Sequence, residues 1–182
     1  LRWMADNLDL GYDLFDAVMR SREVQAENMA KSLVELSQLG AGVAPVLPII
    51  IVGKAYKPLV PYDAGSSSML VGHYIEEAGS ELYYLDEVMG EHPPAEILEK
   101  PAVYLLAHNP EVTYGEQLDF VKGWYDEHRV TGADEALTVA TANGTELNFA
   151  KDSIVVDPWR KIPQIMGVSV VHYGNTRKDS LR

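Results

Sequence analysis

The run Ile49-Ile50-Ile51-Val52 is β-branched at every position and contains no polar residue. A strand wet on one face alternates apolar and polar side chains. An unbroken run therefore reads as a strand buried on both faces, the habit of parallel sheets. Gly53 follows at once and permits a tight turn at the strand's carboxyl end, the edge where open α/β sheets bind ligands. The turn presents Lys54 and Lys57 around Tyr56. Two cations at such a mouth favour an anionic ligand. Two lysines in a loop are equally compatible with plain solvation.

The flanking segments alternate between helical and strand periodicities. Phe15, Val18, Met19, Met29, Leu33 and Leu36 recur at helical spacing, which predicts a helix from Leu14 to Gln38 with Leu39-Gly40 as its C-cap signal. About 25 residues of helix run ~37 Å, long for a domain of this size. Such a helix either covers its own sheet or reaches outward as a link or an oligomer interface. Leu1 to Gly11 reads as the tail of a preceding helix, and a chain starting at Leu1 reads as part of something longer.

After strand 48–52 and a loop over 53–65, the pattern predicts a helix from Ser66 to Ala78 capped by Gly79. Next come a strand Glu81–Leu85 ending at Asp86, a short helix across Pro93–Lys100, a strand Ala102–Leu106 and a helix Tyr114–Tyr125. The last sheet strands are Ser153–Asp157 and Val168–Tyr173. Strands alternating with helices indicate βαβ units and a parallel sheet. Leu137–Phe149 departs from this, alternating at period two around Asn143-Gly144, so an inserted β-hairpin is expected at about 136–150.

With 182 residues, 47% of them apolar and 23% charged, the chain can bury one substantial core of ordinary globular composition. No stretch approaches the ~20 apolar residues of a membrane span. A net charge of −12 disfavours nonspecific nucleic-acid binding, which needs clustered Lys and Arg. There is no cysteine, so these residues hold neither a disulfide nor a thiolate nucleophile. The five histidines lack metal-ligand spacing, and no metal is expected.

Gly53-Lys54-Ala55-Tyr56-Lys57-Pro58 after a buried strand resembles the Gly-x-Ala-(Phe/Tyr)-Lys signature that opens the C-terminal domain of UDP-glucose/GDP-mannose dehydrogenases. The similarity continues in order along most of the chain. A long helix precedes the signature, and Ser66-Ser67-Ser68 starts a helix after it. A second strand runs from Gly79 through Leu82 and Tyr84 to Asp86, an apolar third strand follows, and Asp157-x-x-Arg160 follows a fourth.

The resemblance implies an α/β fold with a Rossmann-like three-layer parallel sheet and flanking helices, preceded by a long helix. It divides the chain into a central linking and dimerisation helix over 1–42 and a nucleotide-sugar-binding domain over 43–182. It further implies a cytoplasmic homodimer that oxidises the C6 alcohol of a UDP- or GDP-linked sugar to a carboxylate, as in polysaccharide biosynthesis. The catalytic cysteine and most of the NAD site would lie upstream, and no Gly-x-Gly-x-x-Gly follows a strand here.

By the same resemblance Tyr56 and Lys57 contact the nucleotide sugar, and Arg160 reaches it from the loop after the fourth strand. The competing reading of Arg160 is a pair with Asp157 that holds the turn. Lys54 falls at a variable family position and is expected on the surface. His108-Asn109-Pro110 takes the place of a family segment at the ligand edge, which allows a peripheral role. Ser66–Ser68 reads as an N-cap run. One departure matters: Ala64-Gly65 stands where the family generally has Arg-Glu. The alternative is therefore a noncatalytic nucleotide-binding or oligomerisation module derived from that family.

Overall fold

A computed structural model of the protein describes residues 3, 7, 8, 14–39, 46–114 and 137–173. Within them, helix α1 (Leu14–Leu39) precedes strand β1 (Ile49–Val52), helix α2 (Ser67–Glu77), strand β2 (Leu82–Leu85) and the short helix α3 (Ala95–Leu98). Strands β3 (Val103–Leu106), β4 (Glu111–Tyr114), β5 (Leu137–Ala140), β6 (Ile154–Val156) and β7 (Ser169–Val171) complete the order. Five strands form one parallel sheet in the order β2-β1-β3-β6-β7. The protein is thus an α/β fold with a parallel sheet flanked by helices, and β4 and β5 form a separate antiparallel pair.

The two-residue period of a strand splits the apolar run of β1 between two cores. Ile49 and Ile51 join Val103, Leu105 and Val156 on the face covered by α1 and α2. Ile50 and Val52 join Tyr104, Leu106 and Val155 on the other. All four β1 residues are buried, as an unalternating run requires. On the first face α1 buries Ala26, Ala30, Leu33 and Ser37, one stripe at helical spacing. Its two alanines let the helix approach closely, and the Ser37 hydroxyl donates to the Leu47 carbonyl at 2.5 Å, tying the helix end to the approach to β1. The amino-terminal half of α1 leaves Leu14, Val18, Met19 and Val24 exposed.

The second face differs from expectation. Among the described residues it is covered mainly by the β4–β5 pair and its continuation, with Val112, Leu137, Val139, Leu147 and Phe149 packed over Tyr104 and its neighbours. The rings of Phe149 and Tyr104 meet edge to face, with centroids 5.0 Å apart and planes at 76°. The expected turn at Asn143-Gly144 is present, but β5 takes its ladder from β4, pairing Val112 with Val139 and Tyr114 with Leu137. Among the described residues the returning arm adds no ladder of its own: it makes the Ala140–Glu146 bridge and the bonds from Thr141 N–H to the Thr145 carbonyl and from Leu147 N–H to the Val139 carbonyl, both 2.8 Å. Tyr114 closes a strand rather than opening a helix, because Glu111–Tyr114 is itself a short period-two run beside an apolar partner. The remainder of the expected helix to Tyr125 lies outside the described residues.

Candidate functional site

The parallel register aligns the carboxyl ends of the strands, with Val52 opposite both Leu85 and Leu106, and Leu105 opposite Val156. The chain leaves β1 toward β2 on one side, whereas β3 lies on the other. Strand order therefore reverses between β1 and β3, the position where open sheets form a ligand crevice.

Gly53 opens the first loop with φ +101°, a conformation that disfavours any side chain. A second constraint acts on the same residue: the His108 ring, from the loop after β3, packs so closely that a Cβ on Gly53 would lie 2.6 Å from Nδ1. His108 Nε2–H donates to the Ala55 carbonyl at 2.9 Å. Ser68 Oγ donates to the Lys54 carbonyl at 3.0 Å and Ser66 Oγ to that of Ala55 at 3.3 Å. The serine run thus marks the start of α2 as expected, but Ser66 forms no side-chain capping bond; its hydroxyl ties the helix to the β1 turn instead.

Asp86 completes that turn. Its buried carboxylate accepts the amides of Lys54 and Ala55, both at 2.8 Å, and those of Val88 and Met89 at 3.1 and 3.3 Å. Four amides match the four lone-pair sites of a carboxylate, so Asp86 is fully engaged. Asp157 repeats the device after β6. It is completely buried and accepts the amides of Trp159, Lys161 and Ile162 at 2.9, 2.7 and 2.8 Å.

Lys54 is a correction. Its side chain is only 18% exposed; the ammonium pairs with Glu91 and lies 5.1 Å from the centre of the Tyr84 ring. It is a structural cation. Burial, then the charges of Glu76 and Glu91, push the Tyr84 phenol up to about 12.

Tyr56 and Lys57 are exposed on the next part of the loop, with the Lys57 ammonium 5.5 Å from the Tyr56 ring centre. Val60 N–H bonds back to the Lys57 carbonyl at 3.4 Å across Pro58-Leu59, and Leu59 has φ +66°. Proline followed by a left-handed residue is the sequence of a type II turn, with leucine where glycine is usual.

Arg160 is exposed and also left-handed, at φ +57°. Its expected alternative, an ion pair with Asp157, does not form; that carboxylate is spent on backbone amides. Neither Lys57 nor Arg160 makes an ion pair among the described residues. The loop carrying Arg160 is braced against β3 by Trp159, whose indole N–H donates to the Leu106 carbonyl at 2.9 Å. Since β3 alone separates β1 from β6, the two cationic loops leave the sheet two strand spacings apart, about 9–10 Å.

The crevice itself is nearly closed. The turn Thr141–Thr145 lies across it, leaving about 20 Å³ bounded also by Gly53, Asp86, Glu87 and His108. Tyr56, Lys57 and Arg160 do not line this cavity; they stand on the exposed rim. At Ala64-Gly65, Arg22 of α1 donates to the Gly65 carbonyl at 2.5 Å. Among the described residues no cluster of three or more metal-ligating side chains occurs, and no helix is long and apolar enough to cross a membrane.

Sequence reasoning overlooked the roles of Asp86 and Asp157. The available signal was an aspartate directly after a buried strand, a residue whose carboxylate commonly caps the following turn. No protein-family model, curated protein or solved structure matches this chain.

Proposed function

We propose that this chain is a Rossmann-like nucleotide-sugar-binding domain of an NAD-dependent dehydrogenase resembling the UDP-glucose/GDP-mannose family, oxidising a sugar alcohol to the uronate when joined to its cofactor domain. The observation that carries the reading is the pair of exposed, unpaired cations, Lys57 and Arg160, on loops flanking β3 at the carboxyl edge. Lys57 supplies a compact charge and Arg160 a planar fork, both suited to a diphosphate. Tyr56, 54% exposed beside Lys57, offers an aromatic face to a sugar or base.

The loop after β1 does not fit a nicotinamide dinucleotide. The amides of Lys54 and Ala55, which would face a pyrophosphate, are taken by Asp86. The proposal therefore puts NAD and the nucleophile on a preceding domain. The exposed apolar side chains of α1, Leu14, Val18, Met19 and Val24, favour a homodimer through that helix. The reading carries a cytoplasmic location from its family.

A noncatalytic module is the second reading. It is favoured by the closed crevice and by Gly65, whose carbonyl is held by Arg22 where the family carries a charge cluster.

Calorimetric titration with UDP-glucose and GDP-mannose tests the proposal. One of the two binds the parent, and Lys57→Ala and Arg160→Ala each weaken it about tenfold or more, the scale of a charge-assisted hydrogen bond. A parent that binds neither, even when joined to its upstream region, overturns the substrate-site reading.

A further inference from the structure

We propose that the turn Thr141–Thr145 is a ligand-reading wall of the switch-point crevice, in which Asn143 Oδ1 and Thr145 Oγ1 receive one hydroxyl or N–H group of the ligand held by Lys57 and Arg160. This deepens the nucleotide-sugar reading and rests on it.

The turn stands outside the parallel sheet, yet it closes the crevice over the carboxyl ends of β1 and β3. Its backbone is self-contained. Thr141 N–H donates to the Thr145 carbonyl at 2.8 Å, and Gly144 N–H to the Thr141 carbonyl at 2.9 Å. Thr141 Oγ1 accepts the amides of Asn143 and Thr145 at 3.3 and 3.2 Å. A loop tied this way presents its remaining polar atoms in fixed positions, as recognition of a small group requires.

Those remaining atoms are the point. Asn143 Oδ1 and Thr145 Oγ1 are shielded from solvent and have no hydrogen-bond partner among the described residues. Buried polar atoms are nearly always bonded, because desolvating them without a partner is costly. Here two of them belong to residues that line one cavity.

The cavity's size and lining select the guest. About 20 Å³ admits a single water-sized group, not a ring. Asn143 Oδ1 can only accept, and two acidic residues, Asp86 and Glu87, are among those lining the cavity, so its surroundings disfavour an anion. A phosphate is therefore excluded, and a hydroxyl or N–H donor fits. The anionic part of the ligand stays on the rim and an uncharged end reaches inward.

The test measures two quantities on the full chain: affinity for UDP-glucose and GDP-mannose, and Tm without ligand. Asn143→Ala and Thr145→Val each lose about three- to tenfold in affinity, the worth of one hydrogen bond. Their ligand-free Tm stays level or rises, because an unpartnered polar atom has been removed. Thr145→Ser keeps the hydroxyl and retains the parent's affinity. UDP and GDP locate the guest: unchanged binding of these by the variants assigns it to the sugar, weakened binding to the nucleoside.

If a structural water satisfies both atoms, Thr145→Val lowers Tm and leaves affinity untouched, which overturns the inference. So does a Thr145→Ser variant that fails to hold the parent's affinity. Where Lys57→Ala weakens binding but the turn variants do not, this inference alone falls. A parent that binds neither sugar nucleotide removes it together with the reading beneath it.

Discussion

The His108 ring packs on Gly53 so closely that a side chain at position 53 has no room: a Cβ there would meet His108 Nδ1 at 2.6 Å and Cγ at 2.7 Å. The contact joins the loops leaving β1 and β3, the two strands between which sheet order reverses. Because His108 also donates to the Ala55 carbonyl, it cannot swing aside without releasing the turn that leads to Tyr56 and Lys57.

Gly53→Ala is accordingly destabilising on two counts. The left-handed backbone and the ring clash together cost about 2–4 kcal/mol. Urea unfolding of Gly53→Ala, His108→Ala and the double variant separates the two. Removing the ring recovers the steric part and leaves the backbone part, so the double variant is more stable than the two losses summed. Strict additivity would show that the ring yields freely.

Replacing Asp86 acts on the same turn from the other side. Asp86→Ala orphans four amides, two of them at Lys54 and Ala55, and lowers stability by about 3 kcal/mol or more. Asp86→Asn keeps the shape but offers one acceptor oxygen in place of two, so it falls between Ala and the parent. Asp157→Ala behaves alike at the β6 turn, where three amides depend on it. Thermal unfolding ranks all three variants; indifference to either alanine would mean that water replaces the carboxylate.

What the chain discloses before folding is uneven, for physical reasons. The strand at 49–52 is legible because burial on both faces forces an all-apolar run, and the helix at 14–39 because one face must repeat near every 3.6 residues. The turn at Asn143-Gly144 is legible because Gly144 takes φ +84°. Strand pairing is not, since β5 finds its partner in β4 by packing over Tyr104, a contact that no local pattern encodes. The site shows the same division. Lys54 and Lys57 are the same residue type three positions apart, and only the fold brings Glu91 and Tyr84 to one of them.

That difference gives a contrast between the two lysines. Lys54→Ala strands Glu91 and uncovers the Tyr84 ring, lowering stability by about 1–2 kcal/mol with little direct effect on ligand affinity. Lys57→Ala leaves Tm nearly unchanged and weakens nucleotide-sugar binding. Calorimetric Kd and Tm for both variants form the test. The assignment is sunk if the losses are exchanged.

Alkaline pH probes the Tyr84 side of that cluster. Its phenol is raised to about 12 in the folded chain, burial being the larger cause and Glu76 and Glu91 the lesser ones. An unfolded tyrosine ionises near 10, so the unfolded state loses its proton first as pH climbs. The stability associated with Tyr84 is present in full below about pH 10 and is lost as pH rises toward about 12. Tyr84→Phe flattens that decline without abolishing it, because burial also raises the phenol of Tyr104. Denaturant midpoints across this window supply the measurement, and an unchanged slope in Tyr84→Phe would remove Tyr84 as the cause.

Arg160 offers the sharpest separation of stability from function. Its φ of +57° is strained for a residue with a Cβ, yet the side chain is exposed and its expected partner Asp157 is spent on backbone amides. The turn that holds this φ is built by Asp157, which accepts the flanking amides on its carboxylate and Arg160 N–H on its carbonyl at 3.4 Å, so the guanidinium is not needed to maintain it. Arg160→Gly relieves the backbone and gains up to about 1 kcal/mol of stability, the greater freedom of glycine in the unfolded chain offsetting part of the relief. Arg160→Ala keeps the strain and gains nothing. Both lose the guanidinium and weaken nucleotide-sugar binding about tenfold, so the glycine variant is the more stable protein and the poorer binder. Urea unfolding beside calorimetric titration reads both quantities. A glycine variant that binds as tightly as the parent would show that the arginine is not the ligand's anchor.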